Sequence, residues 1–167
     1  GDLYTWGTNQ YGELGVGDVI PRSSPTLVLG GHKFKSFQNA ANAFFSLDFS
    51  GNLYSWGRNS YGELGLGDTI PRSSPTLVLG GYKFNKIITS SGFSFVLGIT
   101  QDGSLYSWGR NISGELGVGD LLPRSSPTLV LGGYKFSDVI FDGTRAFKGI
   151  TTDGSMYSWG YNSDGNL

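Results

Sequence analysis

Four tryptophans stand 50, 52 and 51 residues apart, and each sits in the same short phrase. Leu3-Tyr4-Thr5-Trp6-Gly7 returns as Leu53-Tyr54-Ser55-Trp56-Gly57, Leu105-Tyr106-Ser107-Trp108-Gly109 and Met156-Tyr157-Ser158-Trp159-Gly160. An asparagine follows each time, at Asn9, Asn59, Asn111 and Asn162. Three copies continue into Gly-Glu-Leu-Gly, then Gly-Asp, then Pro-Arg-Ser-Ser-Pro-Thr-Leu-Val-Leu-Gly-Gly starting at Pro21, Pro71 and Pro123. The units run over 2–51, 52–103 and 104–154, with a partial fourth at 155–167. A repeat of about this period is one supersecondary unit that buries its apolar face only by stacking on its neighbours.

Each unit is read as four short strands. In the first they are expected at Thr26 to Leu29, Phe34 to Gln38, Phe44 to Phe49 and Leu53 to Trp56. In the second, Phe93 to Thr100 runs into Leu105 to Trp108 through Gln101-Asp102-Gly103-Ser104. Asp-Gly between two such runs marks a hairpin, because glycine tolerates the positive φ that the turn requires. The third unit uses Thr152-Asp153-Gly154-Ser155 and the first Ser50-Gly51. Four strands per unit is the grain of a β-propeller blade, so the fold class is all-β, with about three blades. Trp6, Trp56, Trp108 and Trp159 are the natural wedges between blades. Burying one indole is worth roughly 4–6 kcal/mol as an upper figure, and its N–H needs an acceptor, which a loop carbonyl can supply.

Composition narrows the function. Among 167 residues there are no cysteines and a single histidine, His32, which removes thiolate sites and cysteine nucleophiles and leaves little for a serine triad. Lys and Arg number 12 against 13 for Asp and Glu, so a net charge of −1 argues against a nucleic-acid partner held through phosphates. No apolar run of bilayer length occurs, so membrane insertion by a helix is not expected. Neither a catalytic group nor a metal or cofactor site is expected.

Kelch repeats share this period, but they separate their Tyr and Trp, whereas here the two are joined as Tyr-x-Trp-Gly leading into Asn-x-x-Gly-x-Leu-Gly. That arrangement closely resembles the repeats of the regulator of chromosome condensation family, across essentially the whole chain. The resemblance implies a seven-bladed propeller used for protein recognition, in members as different as a nucleotide exchange factor, ubiquitin-ligase accessory domains, a secreted enzyme inhibitor and a plant light sensor. It departs from the family pattern at Glu13, Glu63 and Glu115, where Gln is usual, and at Gly165-Asn166-Leu167. A histidine usual before the third strand is missing from all three segments there. The wedge insertion tied to exchange activity, the basic segments tied to chromatin docking and the Gly-Trp-Arg-His-Thr motif tied to light sensing are also missing.

Smaller motifs have plain readings. Pro-Arg-Ser-Ser-Pro, with Ser24, Ser74 and Ser126 before proline, reads as a rigid polar inter-strand loop rather than a kinase site. Asn111-Ile112-Ser113 matches a glycosylation acceptor but occupies the slot of Asn9-Gln10-Tyr11. Asp18, Asp68 and Asp120 stand without a second carboxylate, so contacts with Arg22, Arg72 and Arg124 are expected rather than calcium. His32 fills the position of Tyr82 and Tyr134 and reads as a substituted aromatic.

Within each unit the stretch from Tyr-x-Trp-Gly to the glycine pair is nearly constant, and the following segment differs in sequence and length. Differing loop residues are where a partner is read, so Asn39, Asn42, Ser90, Ser91, Asp142 and Arg145 are the candidate partner-binding residues. Two functions follow. One is a non-catalytic scaffold for protein–protein interaction; the other is a structural element of a large assembly such as a surface layer, appendage or virion fibre. An exchange-factor-like regulator of a small GTPase ranks behind both. The partner is another protein or further copies of the same repeat, with a homo-oligomer as one form. Residues 2–14 and 155–167 duplicate one part of the repeat. The chain is therefore expected to be a window from a longer array of about four more units, prone to self-association through open stacking edges.

Overall fold

The computed structural model describes residues 1–163, 165 and 167, so Asn166 of the last motif lies outside the described residues. Among the described residues, thirteen strands fall into four antiparallel sheets. Two sheets are complete four-stranded meanders. The first holds β3 (Phe34–Ala40), β4 (Ala43–Asp48), β5 (Leu53–Gly57) and β6 (Arg72–Leu77). The second holds β7 (Phe84–Ser90), β8 (Phe93–Thr100), β9 (Leu105–Gly109) and β10 (Arg124–Leu129). Before them β1 (Tyr4–Gly7) pairs with β2 (Arg22–Leu27), and after them β11 (Phe136–Phe141), β12 (Ala146–Thr151) and β13 (Met156–Gly160) form a three-stranded sheet. The first strands β3, β7 and β11 touch one another in succession and mark the inner side of the stack.

Every sheet after the β1–β2 pair crosses the boundary between sequence units. The strand from the proline phrase pairs with the Tyr-x-Trp strand before it, as in Tyr54↔Leu77 and Ser55↔Thr76. It closes that sheet as the outermost strand. It also begins earlier than Thr26, at Arg22, so Pro-Arg-Ser-Ser-Pro is largely strand and not the loop expected from its prolines. The physical reason is position: an outer strand leaves one edge unpaired, where a missing N–H costs nothing. The phrase is bulged as well. Ser73, Ser74 and Pro75 together oppose Trp56 alone, since Ser55 pairs with Thr76 and Gly57 with Arg72.

The core lies between the sheets. Phe45, Leu47 and Leu53 of the first complete sheet pack with Phe84, Ile87 and Trp108 of the second. Phe95, Leu97 and Leu105 then pack with Phe136, Val139 and Phe147 of the C-terminal sheet. Stacking is reinforced by the long loop between third and fourth strands, which reaches onto the next sheet. Gly17 N donates to Ser73 O at 2.7 Å, and Gly67 N repeats the bond to Ser125 O at 2.7 Å. The bulge is what presents those serine carbonyls. Gly12 and Gly62 must be glycine here: both have φ near +80°, and a Cβ would lie 2.5 Å from the Cα of Ser73 or Ser125.

The same loop holds the tryptophans. Trp56 Nε1 donates to Glu13 O at 2.9 Å, Trp108 Nε1 to Glu63 O at 2.8 Å and Trp159 Nε1 to Glu115 O at 3.1 Å. Trp56 and Trp108 are 0% exposed, Trp159 is partly covered and Trp6 is 60% exposed. The loop is shaped from inside by the repeated asparagine. Asn59 is fully buried, donates through Nδ2 to Asp68 O (3.0 Å) and Ile70 O (3.1 Å), and accepts from Leu64 N at 2.9 Å. Asn9 and Asn111 do the same. Asn111 is therefore a structural residue whose amide is occupied within the loop. The expected aspartate contacts are present as Arg22–Asp18, Arg72–Asp68 and Arg124–Asp120 pairs. The His32 ring packs against that of Tyr54 with centroids 4.2 Å apart, as Tyr82 does against Tyr106 at 4.1 Å and Tyr134 against Tyr157 at 4.3 Å.

Candidate protein-interaction face

The segments that differ between units form the turns joining first and second strands, at residues 40–43, 90–93 and 141–146. All of them lie at one end of their sheets, beside the start of the loop that follows each Trp-Gly. Arg58 N donates to Asn42 O at 2.9 Å, Arg110 N to Ser94 O at 2.8 Å and Tyr161 N to Arg145 O at 3.1 Å. Adjacent turns also touch across the blade boundary, where Ala41 N donates to Ser91 O at 3.1 Å. The stacking that buries the tryptophans thus sets three non-identical turns side by side.

The candidate residues are not equivalent within this face. Asn39, Asn42 and Ser91 are exposed, Asp142 and Arg145 are half-buried, and Ser90 is buried beneath its turn. Asp142 is occupied in shaping its own turn, with Oδ1 accepting from Thr144 N (2.8 Å), Thr144 Oγ1 (2.7 Å) and Ala146 N (3.3 Å). Partial burial works to raise its pKa. The Thr144 and Ala146 hydrogen bonds and the charge of Lys148 outweigh that and hold the carboxyl below 3.8. Ala41 and Arg145 have positive φ, 51° and 73°, the two non-glycine residues so placed among the described residues.

Arg145 sits between two rings, its guanidinium 5.3 Å from the centroid of Phe93 in the preceding sheet and 5.4 Å from that of Tyr161. Arg58 lies 5.9 Å from the ring of Tyr11 and donates from Nε to Ser60 Oγ at 2.9 Å. Arg58, Arg110 and Tyr161 were not among the residues singled out from the sequence. The signal was there: Thr8, Arg58, Arg110 and Tyr161 are the one changing position inside Trp-Gly-x-Asn. At the opposite end the strand 2–3 turns are held by Lys135 on Asp102 at 2.5 Å. That bond, followed by those from Thr100 and Ser104, takes the Asp102 carboxyl far below the ordinary range. No group of three metal-ligating side chains occurs among the described residues.

Antiparallel meanders stacked face to face, with their first strands together on one side, define a β-propeller. The chain belongs to the regulator of chromosome condensation (RCC1) repeat family, whose repeat matches residues 1–42, 50–97 and 102–140. Over its whole length it is similar to the ultraviolet-B receptor UVR8 of Arabidopsis thaliana, at 34% identity over 176 residues and 39% of the receptor. It is also similar to the human E3 ubiquitin-protein ligase HERC2, at 30% identity over 170 residues and 3% of the ligase. Human WBSCR16 superposes with a TM-score of 0.80 at 23% identity, over 98% of this chain and 44% of that one. Yeast RCC1 (Prp20), in its complex with Kap60, superposes with a TM-score of 0.74 at 25% identity, over 96% of this chain and 40% of that one. The chain spans less than half the length of each of these relatives.

Proposed function

We propose that this chain is a non-catalytic propeller scaffold that binds another protein through the face formed by its first-to-second strand turns. One observation carries the reading: turns that differ in sequence are brought into contact, Ala41 N on Ser91 O, over a loop framework repeated almost residue for residue. A framework that constant with turns that variable separates what folding needs from what recognition reads. The complex of yeast RCC1 with Kap60 shows one member of the family in contact with a protein, which supports the reading.

Affinity capture with the whole chain tests it. Proteins held by the parent chain are expected to be lost from an Asn42→Glu, Ser91→Glu variant that keeps the parent melting temperature. Retention of the same proteins by that variant would defeat the reading.

A structural role in a large assembly has its own support. Leu27, Leu77 and Leu129 are each about half exposed at the same place on successive outer strands, a regular apolar row along the rim. Polymers that form in the parent chain and dissolve on Leu77→Lys would favour that role.

A further inference from the structure

The charges on the turn face do not cancel. Arg22, Arg72 and Arg124 are each paired with an aspartate, whereas Arg58, Arg110 and Arg145 form no ion pair among the described residues. These three stand on successive sheets at the same end, tied to the turns through Asn42, Ser94 and Arg145 itself. Among the described residues the acidic groups nearby are already engaged. Asp142 accepts from its own turn and faces Lys148 at 3.8 Å. Glu63 and Glu115 are fully buried with Oε2 on the Tyr61 and Ser113 amides. Lysines without a carboxylate bond, Lys35 and Lys83, belong to the other end of the sheets, next to the strand 2–3 turns.

Arg145 is moreover held in place before any partner arrives. Its backbone is in the left-handed region, at φ 73°, and its guanidinium lies between Phe93 and Tyr161. A left-handed, non-glycine residue costs energy and persists where the surroundings fix it. A guanidinium stacked on rings keeps its planar N–H fork for a carboxylate and loses little further entropy on binding.

We propose that the partner engages this face through an acidic peptide segment whose carboxylates lie across Arg58, Arg110 and Arg145, with Arg145 as the anchor. The proposal rests on the reading of this face as the interaction surface and names the chemistry of what it takes. Carboxylates of a protein suit it better than nucleic acid. Three guanidiniums release too few counterions for useful phosphate binding, and the chain as a whole carries a net charge of −1.

The test is fluorescence anisotropy of a labelled oligoglutamate peptide with the whole chain at low salt. Arg110→Gln with Arg145→Gln is expected to weaken binding about tenfold or more and to flatten its salt dependence. Lys35→Ala, at the other end, is expected to leave it unchanged. Arg110→Gln alone leaves the strained turn intact and should still cost several-fold, so a folding defect at Arg145 cannot imitate the result. Equal affinity for parent and double variant would overturn the proposal. So would tighter binding of an oligothymidylate of the same charge, or a self-association of the parent chain that the double variant abolishes. If the peptide fails while captured proteins are still lost with the Asn42 and Ser91 changes, the acidic partner falls and the scaffold reading stands.

Discussion

The inter-blade loop and the turn face are built on the same strands yet obey opposite rules. In the loop the repeated residues each have an assigned task in the stacking. Asn59 shapes it, Gly62 permits the approach to Ser125, and the Glu63 carbonyl receives the Trp108 indole. Each element recurs in the next unit because the same interface recurs. On the turn face, Asn42 and Ser91 are exposed and two non-glycine residues sit at positive φ, and the side chains that stand there differ from one sheet to the next. One region carries the buried stacking contacts and is uniform; the other meets its neighbours through few contacts, Ala41 N on Ser91 O among them, and differs from unit to unit.

The contrast breaks first at the tryptophans. Trp108→Ala removes a fully buried indole and its bond to Glu63 O, and is expected to destabilise the fold by about 3–5 kcal/mol in urea unfolding. Trp6→Ala, at 60% exposure, should cost under about 1 kcal/mol. Equal losses would mean that the indoles do not work as wedges between blades.

Asn59→Ala comes next. It strands the buried Leu64 amide and removes the bonds that hold the Asp68 and Ile70 carbonyls, so a loss of about 1–3 kcal/mol is expected. The same readout should show Asn42→Ala within about 0.5 kcal/mol of the parent, because its side chain is exposed. A large effect at Asn42 would erase the distinction between the two regions.

Within the loop, one departure from the family pattern leaves a defect. Glu63 and Glu115 are buried, and while Oε2 bonds a backbone amide, Oε1 of each has no partner. Glu63→Gln preserves the shape and the bond to Tyr61 N, exchanges an acidic group buried without a cation for a neutral amide, and should raise stability by about 1 kcal/mol. Thermal unfolding of the single variant checks the sign.

The smallest effect sharpens the other side. Ala41 holds φ at 51°, so Ala41→Gly is expected to stabilise by about 0.5–1 kcal/mol, the amount by which a Cβ is disfavoured there. Glycine destabilising this turn would show that Ala41 is not strained.

Much of this architecture was legible in the chain itself. Repetition of Tyr-x-Trp-Gly with its asparagine and Gly-Glu-Leu-Gly fixes a stacked β-repeat, because no single unit buries its own faces. The Asp102-Gly103 hairpin and the strand Phe93–Thr100 could be read locally, since both depend on short-range pattern and turn chemistry. The aromatic slot of His32, Tyr82 and Tyr134 was likewise visible as a substitution within a repeat.

What a period cannot supply is its own phase. Cutting the array at any point gives the same repeat, so only the strand pairing that sets Tyr54 opposite Leu77 shows that the proline phrase closes the preceding sheet. The proline content itself pointed to a loop, and only an unpaired outer edge makes it compatible with a strand. The arginine face is tertiary for the same reason. Phe93 and Arg145 are 52 positions apart and belong to different sheets, and they meet because blades stack in order. Sequence determined that the units must stack and which residues join them. Stacking then decided which of the remaining side chains would share a surface, since contact across a blade boundary is set by packing and leaves no mark in the local pattern.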